Sequence, residues 1–316
     1  MRIVFMGTPE FAVPSLEILI NNNMDVAMVV TQPDKPKGRG YKVSYTPVKE
    51  CALKYNIPVI QPQKIGSSDT IEKLRQLKPD LFVTCAFGQF LTTEVLDIPG
   101  YGTVNVHGSL LPKYRGAAPI QWAIINGEKK TGVTTMLTVL KMDAGDILLT
   151  KEIDIDDDMT AGQLHDRMSV LGAELLLETI RGLEKGIIKP VPQNESEATF
   201  APRIVRETGK IKWEAPAAAI HNLVRGTDPW PGAYSYLNGE RMRIWKTKVY
   251  DADKETGNKP GTIINISRDF FLVQAGKGVV SVFEIQCDSG KRMTVEQYIC
   301  GHEIKPGDRF ESEQLL

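Results

Sequence analysis

Apolar positions come in short blocks through the first 190 residues, and two periods alternate between the blocks. Residues 3–6, Ile-Val-Phe-Met, run without a polar break and stop at Gly7, the pattern of a strand covered on both faces. Over 14–20, Leu16, Leu19 and Ile20 fall instead at helical spacing. The alternation then repeats. It predicts strands at 26–30, 59–60, 81–85, 103–107 and 133–138, and helices at 47–55 and 70–77. A last helix should start after Thr160, where Gln163 completes a capping box, and carry the stripe Leu164, Met168, Leu171 and Leu175. Strands and helices in this order imply a Rossmann-like, mostly parallel sheet with helices on both faces.

Periodicity fails over 192–202, which are polar and rich in Glu and Asn. The reading is a linker at 191–205 between a catalytic domain at 1–190 and a second domain at 206–316. In the second, strands at 243–250, 261–266, 270–275 and 278–286 are punctuated by glycine, with short helices at 217–224 and 295–300. That predicts a small C-terminal β-barrel of the oligonucleotide-binding type.

A chain of 316 residues can bury two such cores. Its net charge of −1 attracts no polyanion, so a nucleic-acid partner would have to meet a local basic patch. No apolar run approaches the roughly 20 residues that span a bilayer. The opening segment lacks the features of a signal peptide, so a soluble cytoplasmic protein is expected. Cys51, Cys85, Cys287 and Cys300 are scattered, which indicates neither a disulfide framework nor a zinc site. Gly7 lacks the second and third glycines of a dinucleotide fingerprint.

Candidate chemistry starts on the fifth strand, Thr103-Val104-Asn105-Val106-His107. Alternate residues share a face, so Asn105 and His107 point together. Two polar side chains on a strand that should be apolar on both faces are costly unless something uses them. A long loop follows, Ser109-Leu110-Leu111-Pro112-Lys113-Tyr114-Arg115-Gly116, on the edge where open α/β sheets bind ligands. Asp143 comes after the sixth strand and could approach His107 across that same edge. A second departure from a plain α/β domain is the segment 34–46, where Lys35, Lys37, Arg39 and Lys42 stand without a compensating acid between 35 and 49. A charge run is usually a solvated loop, but one on the ligand edge suits capture of phosphates.

Asn105-x-His107, the Ser-Leu-Leu-Pro loop with Tyr114-Arg115-Gly116, and Asp143 together resemble the folate-dependent formyltransferases. Gly7-Thr8-Pro9-Glu10-Phe11, Thr31-Gln32-Pro33-Asp34 and Asp228-Pro229-Trp230-Pro231-Gly232 extend the resemblance over nearly the whole chain, and the catalytic positions show no departure. It implies 10-formyltetrahydrofolate as co-substrate, leaving as tetrahydrofolate, and no metal. Asn105 and a protonated His107 would stabilise the developing oxyanion, and Asp143 would accept the amine's proton, directly or through water. Ser109, Leu110, Leu111 and Pro112 would contact the folate, with residues 86–91 walling its pterin end. The basic segment resembles the loop that, in one branch of the family, enters the acceptor-stem end of a tRNA. The implied acceptor is the free amino group of methionyl initiator tRNA, formylated for translation initiation by a monomeric enzyme.

Two rival readings remain. A formyltransferase for a small amine, such as glycinamide ribonucleotide or an amino-sugar nucleotide, would share the three catalytic residues but need neither the basic segment nor a domain for a large partner. A non-enzymatic RNA-binding protein on a degenerate enzyme fold would have no use for an intact Asn105, His107 and Asp143.

Overall fold

In the computed structural model, which describes residues 1–37, 42–288 and 290–313, the first apolar run becomes strand β1 (Arg2–Gly7), with five of its six residues buried. On one side it pairs with β2 (Asp25–Val30), which pairs with β3 (Val59–Ile60). On the other side it pairs with β4 (Leu81–Cys85), which pairs with β5 (Thr103–His107), and all four pairings are parallel. Strands β6 (Lys130–Leu137) and β7 (Ile147–Asp154) complete a seven-stranded sheet of order β3-β2-β1-β4-β5-β6-β7. The chain winds outward from β1 through β3 and returns to β4, which makes the ends of β1 and β4 a topological switch point.

One pairing departs from the simple reading. Strand β6 runs antiparallel to β5, with His107 opposite Thr134 and Val104 opposite Leu137. Its end therefore lies beside the start of β5, not beside His107, and the next loop must turn back to reach that histidine.

Helices form where the pattern predicts: α1 (Val13–Asn21), α2 (Pro47–Lys54) and α3 (Ser68–Gln76). Thr46 caps α2 by accepting from the Lys49 amide, at 3.2 Å. Helix α4 (Pro119–Ile125) follows the long loop, in a stretch the pattern assigns to no element. Helix α5 (Ala161–Glu184) starts at the expected capping box, where the Gln163 amide donates to Thr160 Oγ1 and the Thr160 amide to Gln163 Oε1. Gly172 of α5 lies against Val106 and Val133, so closely that a β-carbon would come within 2.9 Å of Val106. This helix covers the Val104/Val106 face of β5 and leaves the Asn105/His107 face to the loops.

The chain divides into two compact units that are not simple halves. The first comprises Met1–Gly116, Thr131–Ile153 and His165–Ala201; the second comprises Ala117–Lys130, Asp154–Leu164 and Pro202–Leu316. In the second unit α4 meets α6 (Ala217–Gly226), with Gly226 close against Ile125, which is why this early stretch groups with the later sequence. Strands β8 (Ala233–Leu237) and β9 (Glu240–Asp251) form a hairpin across Asn238 and Gly239, both in the left-handed region. Strands β10 (Ile263–Ile266), β11 (Phe271–Gln274), β12 (Val279–Cys287) and β13 (Phe310–Glu311) continue the sheet in the order β10-β11-β12-β9-β8-β13. Its ends meet: Phe310 N donates to Gly261 O at 2.9 Å and Ile263 N to Asp308 O at 2.8 Å, which curls the sheet into the expected barrel. Trp213, 1 % exposed, stacks on Phe310 inside it and donates from Nε1 to Ser235 Oγ. Helix α7 (Val295–Ile299) packs on β12.

Burial also sets thiol reactivity. It pushes the Cys85 thiol up to about 12 and the Cys51 thiol up to about 11. Because the thiolate is the reactive form and needs access to reagent, exposed Cys300 should be alkylated at pH 8 far faster than either. Cys51 and Cys85 should react only on unfolding, and rapid labelling of Cys85 in the native protein, read by peptide mass spectrometry, would contradict this packing.

Candidate active site

Asn105 and His107 emerge on the same face of β5, as their spacing predicts, with His107 buried and Asn105 partly open. Asn105 stands directly opposite Thr84 of β4, whose hydroxyl donates to Asn105 Oδ1 at 2.9 Å. The carboxamide oxygen is thereby occupied. Its NH₂ group meets no acceptor among the described residues and can donate to a ligand.

His107 Nε2 lies 3.0 Å from the Tyr114 carbonyl, and its Nδ1 lies 3.8 Å from Asp143 Oδ2. A carbonyl can only accept, so Nε2 carries a proton there, and Nδ1 is the ring nitrogen turned toward the carboxylate. Asp143 Oδ2 also accepts from the Gly116 amide, at 2.8 Å. Asp143 does not arrive across the strand ends. The loop 138–146 leaves beside Thr103, whose carbonyl accepts from the Thr138 amide, and turns back along the Asn105/His107 face. Asp143 itself adopts φ +48°, and Gly145 lies so close to the Leu137 carbonyl that any side chain would collide with it.

The loop after His107 is internally braced. Ser109 Oγ donates to Lys113 O at 2.6 Å, so the hydroxyl expected to meet a ligand is committed to its own turn. Thr134 Oγ1 donates to Ser109 O and accepts from the Leu111 amide, tying the turn to β6. Leu111 is buried, while Leu110, lying against Gly132, and Pro112 remain partly open. Along 86–91, Phe87 and Leu91 join the core and Gln89 is consumed by Ile65 N and Pro62 O. Phe90 projects, 74 % exposed, beside Gly88 at φ +84°.

Several partners of this loop carry no sequence signal. Arg115 is wholly buried and donates to Gln193 Oε1 and to both carboxylate oxygens of Glu195. Gln193 and Glu195 lie in the segment read as linker, and Thr199 of that segment accepts from the Tyr114 amide through Oγ1. Phe200 and Ala201 pair in parallel with Arg115 and Gly116. Residues 193–201 therefore do more than join, because they satisfy backbone and guanidinium groups of the loop. Thr84, a polar residue within an apolar strand, could have been found by the reasoning that singled out Asn105.

The basic segment is a hairpin. Lys35–Lys37 pairs antiparallel with Lys42–Ser44, so that Lys37 and Lys42 occupy facing positions; Arg39 lies outside the described residues. Asp34, at the hairpin base, is ion-paired to Lys49 and bonded to Gln61. Burial alone would raise the Asp34 carboxyl, but these bonds hold it below the ordinary range. Among the described residues no cluster of His, Cys, Asp and Glu could hold a metal ion, and no helix is long and apolar enough to cross a membrane.

Residues 1–180 match the formyl transferase family and residues 203–303 the formyl transferase C-terminal domain. A methionyl-tRNA formyltransferase of Acetivibrio thermocellus is 56 % identical over 308 residues, covering 98 % of this chain and 99 % of that protein. Its counterpart in Clostridium botulinum is 55 % identical over 306 residues, covering 96 % and 98 %. Among solved structures, an N-formyltransferase from Helicobacter canadensis, in complex with folinic acid and dTDP-3-aminofucose, superposes with a TM-score of 0.70. It covers 93 % of this chain and all of that one at 20 % identity, a likeness of fold.

The Arg115–Glu195 contact predicts a pH dependence. Hydrogen bonds from Arg115, then from Lys141, hold the Glu195 carboxyl down at about 2. An unfolded glutamate titrates near 4.3, so the folded value is depressed. The stabilisation is fully present above about 4.3 and disappears as pH falls toward 2. Glu195→Gln should flatten the loss of unfolding free energy across that window, by an amount that solvent screening of this half-exposed carboxylate keeps small. An acid limb identical to that of the unmodified protein in urea titrations would contradict the pairing.

Proposed function

The chain belongs to the methionyl-tRNA formyltransferase family, and from that membership we propose that it transfers a formyl group from 10-formyltetrahydrofolate to the amino group of methionyl initiator tRNA. The observation that carries the chemistry is the convergence of Asn105, His107 and Asp143 on one face of a central strand. The acceptor amine must lose a proton as it bonds to the formyl carbon, while the formyl oxygen gathers negative charge; the bond from that carbon to the folate nitrogen then breaks, the oxygen's charge returns to the carbonyl, and the leaving nitrogen takes up a proton. Asn105, its oxygen held by Thr84, turns two N–H groups outward and donates to the formyl oxygen. The His107 ring adds positive charge at the same place, and Asp143 holds that charge and takes up the amine's proton.

The folate fits the residues present. Ser109 and Leu111 brace a turn whose open side is formed by Leu110 and Pro112, an apolar surface for an aromatic ring. Exposed Phe90 beside Gly88 offers a second such surface at the end of β4. The co-substrate supplies the activated one-carbon unit, and the chain supplies donors, a proton acceptor and shape.

For the acceptor, the hairpin at 35–44 supports a tRNA over a small amine. Its backbone register brings Lys37 and Lys42 to paired positions, gathering a run of bases without acids at one place, which suits a polyanion. Lys35, Lys37, Arg39 and Lys42 would grip phosphates at the acceptor end. Translation initiation places such an enzyme in the cytoplasm.

The discriminating experiment offers the formyl donor with aminoacylated tRNAs, glycinamide ribonucleotide and an amino-sugar nucleotide in turn. Methionyl initiator tRNA should be formylated in strong preference, and preferential formylation of a small amine would reject the reading. His107→Ala, Asp143→Ala and Asn105→Ala should each lower turnover by about 10²–10⁴-fold at saturating substrates with folate affinity preserved.

Replacing Lys35, Lys37, Arg39 and Lys42 together by Ala should raise the tRNA Michaelis constant and flatten its salt dependence, by roughly 0.7–0.9 in log–log slope per lost phosphate contact. Kinetics unaltered across a salt titration would leave the hairpin without a role in tRNA binding.

A further inference from the structure

Asp143 is useful only if its carboxylate is held in place, and the turn that carries it is strained. With φ at +48° for Asp143 and Gly145 pressed on the Leu137 carbonyl, the backbone does not hold this shape by local preference. We propose that Gln193, from the polar segment after α5, is the positioning residue that holds it.

The argument rests on which groups can only donate and which can only accept. The Arg115 guanidinium has donors alone, and it is 0 % exposed. Its Nε and Nη2 donate to Gln193 Oε1 at 3.0 and 2.8 Å. With that oxygen taken, the Gln193 NH₂ must face the other way. There it donates to Asp143 O at 2.8 Å and to Gly145 O at 2.7 Å, two carbonyls that can only accept. Flipping the amide would set N–H against guanidinium and oxygen against two carbonyls, so its orientation is unambiguous. Glu195, bonded to the same guanidinium, keeps Arg115 in register.

The contacts then close on themselves. Arg115 holds Gln193, and Gln193 holds the backbone of Asp143. Asp143 Oδ2 accepts from the amide of Gly116, the residue next to Arg115. Both ends of Asp143, its carbonyl and its carboxylate, are fixed by one ring of hydrogen bonds, and the ring sets the carboxylate 3.8 Å from His107 Nδ1. The polar segment after α5 thus contributes to the geometry of the proposed proton acceptor.

This inference builds on the catalytic reading of Asp143, and its test separates the two. Gln193→Glu keeps the size and the acceptor for Arg115 but replaces both donors with a carboxylate facing two carbonyls; Gln193→Leu removes all the bonds. Each should lower turnover at saturating substrates by roughly 10- to 100-fold, the scale of an ångström's misplacement, with folate affinity unchanged by calorimetry. Hydrogen exchange of the peptide containing Gly116 should quicken, because its amide loses a fixed acceptor, while the melting temperature of Gln193→Glu stays close to that of the unmodified chain. Undiminished turnover with undiminished Gly116 protection in both variants, while Asp143→Asn is inactive, would overturn the positioning role and leave the catalytic reading standing. Faster Gly116 exchange with full turnover, and an active Asp143→Asn, would support the positioning and overturn the catalytic role. Loss of folate binding and turnover together in both variants would mark Gln193 as a general structural residue and overturn the proposal.

Discussion

A guanidinium withdrawn from water must find acceptors for its N–H groups, and most of the loop structure around Asn105 and His107 follows from how Arg115 meets that demand. Burying an unpaired ion costs several kcal/mol. Arg115 avoids this cost by recruiting Gln193 and Glu195, and those two bring residues 193–201 against the loop after β5. Once there, Gln193 has two donors left over, and the turn at Asp143 supplies two carbonyls for them. One satisfied cation therefore organises three separate stretches of chain. Thr134 does the same on a smaller scale, accepting and donating within the 109–113 turn.

Strand β5 separates support from chemistry. Its Val104 and Val106 face is covered by α5, where Gly172 lets helix and strand approach closely. Its Asn105 and His107 face is left to loops. Because β6 is antiparallel, the Asp143 loop starts at the wrong end of β5 and has to fold back over that face. The residues meet on the surface of the sheet instead of beyond its edge, and a polar strand face that would otherwise be a liability becomes a lined, partly dry site.

Much of this architecture is legible from pattern. The runs at 3–6 and 81–85 are buried strands, and the Thr160/Gln163 capping box starts a helix where it should. Among the strands that escape notice, two do so for different reasons. Ile147–Asp154 mixes charges into a partly exposed strand, which blurs its apolar signal. Ala233–Leu237 alternates buried and open residues into Asn238-Gly239, a turn pair that marks a hairpin when it is looked for. Helix α4 follows a loop rich in Gly, Ala and Pro and is too short for periodicity to reveal.

The sequence by itself determined that Asn105 and His107 share a face, that this face is unusually polar for a central strand, and that bases cluster at 35–42 without acids among them. Each is a local property, because a strand's two-residue period and a charge count need no knowledge of what lies across space. Tertiary structure alone decided that β6 runs antiparallel, that Asp143 returns to His107, and that a glutamine 50 residues from Asp143 and 78 from Arg115 holds both. Hydrogen-bond satisfaction explains the difference. A buried donor accepts any partner of the right geometry, whatever its distance along the chain, and so leaves no period or spacing by which the partner could be recognised beforehand.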